Sequence, residues 1–308
     1  MRNLLRISSP ALVTLVIAVW FSGALFPPSY DGLPVTPIST LVLIPIAKAA
    51  LFIVAAVALG LAAIPGFLTG DLPLARRAAP YAFTVAALAL LNLLLTLSDI
   101  LAVQPWAAVD LEFLFSFITQ IDEGRYLMLQ VLLAIVAGWT FLQLRTELEL
   151  VFGVLALSVA GVLPAFTGHS TAAITHWIVS TIMVFHLAAL LVWLGGIVGL
   201  ISVGPTQAAV RRFSALAFTA YVAIALSGIA STFSRVASWS DFFQDRYAIV
   251  LLAKVVLVIV LGVIGFRLRN AIAANAESMV LTKLLSTEVA LLGMTVALAV
   301  TLARMANP

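Results

Sequence analysis

No cysteine occurs in the 308-residue chain, so disulfides, thiolate-held metals and cysteine nucleophiles are excluded. Charge is almost as scarce: Asp, Glu, Lys and Arg supply 9% of the residues against 63% hydrophobic, with a mean hydropathy of +1.19. A water-soluble domain with that balance would lack the polar surface to cover itself, so the solvent is lipid. The short alternating segments of a transmembrane barrel are also missing. In their place stands a near-continuous series of apolar runs, each near the roughly 20 residues with which a helix crosses about 30 Å of hydrocarbon. Nothing resembles a phosphate-binding loop or an ATPase phosphorylation site, so any transport runs on a gradient or on handover from a partner. The basic residues behind a pI near 9.5 are scattered in ones and twos at helix ends. Membrane topology alone requires that, and no nucleic-acid partner is read from it.

Pro, Gly and charge divide the chain into spans at about 11–27, 37–64, 79–102, 125–143, 148–167, 173–202, 213–234, 246–266 and 284–303. The expected fold is an all-α polytopic membrane bundle of about nine helices. Residues 1–147 hold the first four and 148–308 the last five. Arg2 and Arg6 ahead of an apolar run fit a first span or a signal peptide. No small-x-small cleavage site precedes Pro27 and Pro28, which favours the span; a cleaved signal would leave eight. Within 106–123, Trp106, Phe113, Phe117 and Ile121 recur at helical spacing against Glu112, Ser116, Gln120 and Glu123, predicting a helix lying on the membrane surface. No internal repeat, soluble domain or linker is visible.

With a cytoplasmic N-terminus, the inner loops collect Arg2, Arg6, Arg76, Arg77, Arg145, Arg211, Arg212, Arg267, Arg269 and Lys283, while Arg125, Arg235, Arg246 and Arg304 lie outside. That bias predicts a cytoplasmic-membrane protein with its C-terminus external. Asp31, Asp99, Asp110, Glu112, Asp122, Glu123, Asp241 and Asp245 gather on the outer face. A negative mouth concentrates cations, although acids are also free to sit wherever basic residues are selected against.

Inside the spans an ionisable side chain is costly unless paired or facing a cavity, so each is a functional candidate. Lys254 and Glu288 fall within spans eight and nine at depths that allow a buried ion pair fixing helix packing, or a place for Glu288 on an ion path. Lys48, just after Pro45, is expected to snorkel or pair locally. All three histidines stand in TGHSTAAITHWIVSTIMVFHLAALLVWLGG. His169 ends span five, His176 opens span six, and His186 follows ten residues later, about 15 Å along the helix axis. Metal–imidazole bonds are only about 2 Å long, so His176 and His186 cannot share one ion on a straight helix. They imply an entry station, His169 with His176, and a deeper one at His186. Imidazole suits copper, zinc, iron and nickel alike. Met183, one turn before His186, offers either a soft thioether or a packing side chain. Gly195, Gly196 and Gly199 after Trp193 form a small-residue patch for close helix approach.

These segments resemble the copper resistance protein D family, CopD. The likeness runs through GHSTAAITH, HLAALLVWLGG, RRFSALAFTAYVAIALSGIAS, RYAIVLLAKVVLVIVLGVIGFRLRN and the final span with Glu288, roughly 164–303; the first half matches only in hydropathy. The resemblance implies a multi-span cytoplasmic-membrane protein acting in copper uptake or transfer, often beside a periplasmic copper-binding protein of the CopC type. It sets His169, His176 and His186 at the family's histidine positions, and Phe213, Ser214, Gly228, Lys254 and Glu288 at other motif positions. Tyr247 is followed by Ala248 where the family usually has glycine, and nine spans exceed the family's eight. The reading is therefore a copper-handling membrane protein, not an enzyme. Its rivals are a haem-binding redox protein of the HemJ type, to which the histidine and lysine blocks bear a weaker likeness, and a non-transporting factor in copper-protein assembly.

Overall fold

The computed structural model describes residues 2–23, 25, 34–167, 176–236, 239–243 and 245–305. No strand occurs among them. The helices are α1 (Arg2–Phe21), α2 (Ile38–Ala63), the single turn α3 (Leu72–Ala75), α4 (Ala79–Leu101), α5 (Leu111–Gln120), α6 (Asp122–Gln143), α7 (Glu147–Val162), α8 (His176–Val203), α9 (Gln207–Arg235), the single turn α10 (Trp239–Phe242), α11 (Arg246–Ala273) and α12 (Ser278–Leu302). Among the described residues eight helical segments are long and apolar enough to cross a membrane: Ile38–Thr69, Leu72–Leu101, Asp122–Gln143, Glu147–Phe166, Trp177–Val203, Gln207–Ser234, Arg246–Ala273 and Ser278–Leu302. The protein is a multi-pass all-α membrane protein. Of the nine expected spans, the first is a shorter apolar helix over Ser9–Phe21, and α1 packs along α12.

Antiparallel neighbours follow one another through short connections. α4 packs on α6, α6 on α7, α2 on both α4 and α8, α8 on α9, and α11 on α12. α2 is the hub, and small residues line its middle: Ala55, Ala56, Ala58 and Ala62 have no exposed surface. Its closest crossing is with α8. A Cβ on Gly60 would collide with the Gly195 carbonyl, and one on Gly199 with the Gly60 carbonyl, so the two backbones touch where the small-residue patch predicts close approach. Gly196 on the next face receives the Phe213 ring from α9. At its far end α2 runs into a π-turn, Ile64–Thr69, started at Pro65 and closed by Gly70 in the left-handed region at φ +70°.

Local capping fixes where the spans begin. Thr146 and Glu149 form a reciprocal capping box ahead of α7, and Asp245 accepts from the Tyr247 N–H at 2.6 Å ahead of α11. Within the expected 106–123 the helix is α5, shorter because Asp110 caps it by accepting from the Glu112 and Phe113 N–H groups. Trp106 therefore lies before the helix, 73% exposed, while Phe117 is its buried anchor. One end of the bundle carries Asp99, Asp110, Asp122 and Asp245, and the other carries Arg76, Arg145, Arg211 and Arg269; these are called the acidic and basic ends below.

Candidate functional site

The site lies among α8, α9, α11 and α12. His186 stands ten residues into α8, about 15 Å along its axis. It is 7% exposed, with Nδ1 2.8 Å from the Ser227 Oγ of α9. Ser227 Oγ in turn lies 2.5 Å from the Ala223 carbonyl and 3.2 Å from that of Ile224, and the Ile224 carbonyl also reaches the imidazole. Gly228 of α9 lies beside the ring: a Cβ there would meet His186 Cε1 at 3.9 Å, ordinary contact. Lys254 of α11 is the charged neighbour acting on His186.

Seven residues further along α8, about 10 Å toward the basic end, is a second polar level. Trp193 stands edge-on to Tyr221 of α9, with ring centroids 5.8 Å apart. The Tyr221 hydroxyl occupies space beside Gly262 of α11, where a Cβ would be only 2.8 Å from it. Glu288 of α12 is 3% exposed, and its Oε1 would be 3.7 Å from a Cβ on Gly265. The Trp193 indole acts on the Glu288 carboxyl, yet its Nε1 has no partner at hydrogen-bonding geometry among the described residues, so this is a close electrostatic contact rather than a formed bond. Gly262 and Gly265 thus open the face of α11 on which a phenol and a carboxyl are accommodated.

Of the three histidines, His169 lies outside the described residues, and His176 opens α8 with its side chain outside them. Met183 sits half-buried one turn before His186. Among the described residues no three His, Asp or Glu side chains gather as a metal site. The ion pairs between described residues are Arg125–Asp122 at 2.8 Å and Arg304–Asp99 at 3.2 Å. The Lys254 charge acts on His186, and Trp193 acts on Glu288.

Two of the motif residues serve packing at the basic end. Arg269 of α11 donates to the Ser214 Oγ at 3.1 Å and to its carbonyl at 3.2 Å, and lies over the Phe218 ring. Phe213 fills the notch at Gly196. Ser227, Tyr221, Gly262 and Gly265 are the residues that sequence reasoning does not single out. The only signal for them is the spacing of small and polar residues within apolar helices, which is shared with ordinary helix contacts.

A separate polar group occupies the N-terminal half. Lys48 of α2 is buried within electrostatic reach of the carboxylates of Asp99 and Glu123 and of the Arg304 guanidinium, which repels it. Thr40 and Ser98 share a 2.7 Å hydrogen bond beside it. Asn92 Oδ1 of α4 and Gln130 Oε1 of α6 are buried without partners among the described residues. The contact of Phe83 with Gly138 sets the antiparallel register of α4 and α6, which brings Asn92 and Gln130 to one level.

No curated protein and no solved structure matches the chain. A family model does: CopD, copper resistance protein D, over residues 207–302. The match runs from the first residue of α9 to the last of α12, so that Ser227, Lys254 and Glu288 fall inside it and His186 on α8 precedes it. The chain is thus similar to copper resistance protein D over just under a third of its length, 207–302 of 308 residues.

Proposed function

We propose that the protein moves copper through the membrane, taking it at the acidic end by His169 and His176 and passing it inward to His186. The observation that supports this most directly is His186 itself: a buried imidazole, held by one nitrogen, on the helix that faces the CopD-family segment. A buried imidazole supplies a ligand where a dehydrated cation needs one most. The Glu288 level, about 10 Å beyond, would offer a carboxyl on the way out. Sparse ligands at separate depths suit a carrier, because a closed cage would hold its cargo too well to release it. In this reading the membrane is the cytoplasmic one, the acidic end is external, and copper arrives from a periplasmic copper-binding protein of the CopC type. The protein acts as a carrier and catalyses no reaction.

Two replacements separate the stations. His176→Ala should weaken copper capture at low concentration and leave uptake at saturating copper largely intact. His186→Ala should leave entry-site stoichiometry unchanged and abolish uptake into vesicles. Full uptake by His186→Ala would make that residue a packing histidine and overturn the mechanism. A Soret band on the purified protein would replace the carrier reading with the haem one, and unchanged cellular copper on deletion would favour an assembly factor.

A further inference from the structure

We infer that Ser227 is a positioning residue that fixes the tautomer of His186, leaving Nε2 as the only nitrogen able to ligate a cation. This rests on the carrier reading for its purpose, while its chemistry is independent of copper. The argument is an accounting of donors and acceptors. Neutral imidazole has one N–H and one lone pair, and a serine hydroxyl has one hydrogen and two lone pairs. Ser227 Oγ lies 2.5 Å from the Ala223 carbonyl, four residues back on its own helix, and 3.2 Å from the Ile224 carbonyl. A carbonyl only accepts, so the single hydroxyl hydrogen is committed to the α9 backbone. What Oγ presents to His186 at 2.8 Å is a lone pair. The Ser227 lone pair therefore calls for a proton on Nδ1, and Nε2 carries the lone pair of the ring.

The other nitrogen is then poised for a ligand. Nε2 has no hydrogen-bond partner among the described residues, although the ring is 7% exposed. The ring edge between the two nitrogens points toward Gly228, where even an added Cβ would stand 3.9 Å from Cε1. A ligating histidine whose second nitrogen donates to a fixed acceptor has both its tautomer and its ring plane set before the ion arrives. Ser227 reaches the ion only through His186, so its effect is on how well that nitrogen is presented.

Nitrogen-15 spectra of the full-length protein in nanodiscs, labelled at histidine and assigned through loss of one signal in His186→Gln, read the tautomer directly without copper. The expected spectrum has Nδ1 protonated and Nε2 bare at pH 8. Ser227→Ala should shift the population toward Nε2–H and weaken copper binding by about 10- to 100-fold. Ser227→Thr, which keeps a hydroxyl able to bond four residues back, should restore both. A protonated Nε2 in the unmodified protein overturns the inference, as does Ser227→Ala with unchanged tautomer and affinity. If Ser227→Ala does not fold, the unmodified and Ser227→Thr spectra still decide the tautomer. Should the unmodified protein show the Nδ1–H form and bind no copper, the carrier reading fails while the tautomer assignment stands.

Discussion

At the residue scale, the sequence draws attention to side chains that lipid does not explain, and the structure sorts them by what they touch. Lys254 and Glu288 invite pairing because each charge alone is costly in hydrocarbon. Glu288 instead lies against Trp193 and the Gly265 backbone, and Lys254 acts on His186. The two should therefore behave as separate sites. In a double-mutant cycle with Lys254→Gln and Glu288→Gln, the losses in folded yield should add to within about 0.5 kcal/mol. A coupling energy of about 1 kcal/mol or more, with the double variant rescuing either single one, would restore the ion pair. Lys48 shows why pattern alone under-determines such residues. The charges that act on it, Asp99 of α4, Glu123 of α6 and Arg304 after α12, are brought near by tertiary contacts that no local spacing encodes.

At the element scale, what was legible was what depends on periodicity. The long apolar helices, a helix within 106–123 and the glycine patch on α8 all follow from composition and spacing. The helix within 106–123 came out shorter because Asp110, not the aromatic spacing, decides where it starts. The site was half legible: histidine in an apolar helix stands out, whereas Ser227 and Tyr221 are ordinary membrane-helix residues until α9 is placed against α8 and α11. The glycine crossing gives a direct test. Gly60→Ala puts a methyl into the Gly195 carbonyl, so α2 and α8 must separate along the core. Overpacking of that kind costs about 1–3 kcal/mol. Gly204→Ala meets nothing within 4 Å and carries only the cost of a left-handed backbone at φ +82°, about 1 kcal/mol. Thermal unfolding in detergent should rank Gly60→Ala well below Gly204→Ala. Equal stability of the two would mean that the crossing is looser than described.

At the scale of the whole molecule, α9 and α11 are the least enclosed of the long helices, and their outward apolar residues, such as Leu226, Leu252, Ile259 and Phe266, are exposed on the bundle surface. Trp106 and Trp177 toward the acidic end and Trp139 toward the basic end are each more than 60% exposed, which suits the headgroup region on both sides. The expectation of which side is which rests on charge. Arg76, Arg77, Arg145, Arg211, Arg212, Arg267, Arg269 and Lys283 all mark the basic end, and such residues are retained on the cytoplasmic side. Because the chain has no cysteine, one introduced thiol is the only reactive one. Asn275→Cys reports the basic end and Glu112→Cys the acidic end, and both positions are exposed. In intact cells stripped of their outer membrane, an impermeant maleimide should label Glu112→Cys at once and Asn275→Cys only after the membrane is opened. The reverse pattern would invert the protein, turning the proposed entry histidines toward the cytoplasm and the carrier from uptake to export. Labelling of both thiols from outside would break the antiparallel order of the spans between α5 and the turn before α12.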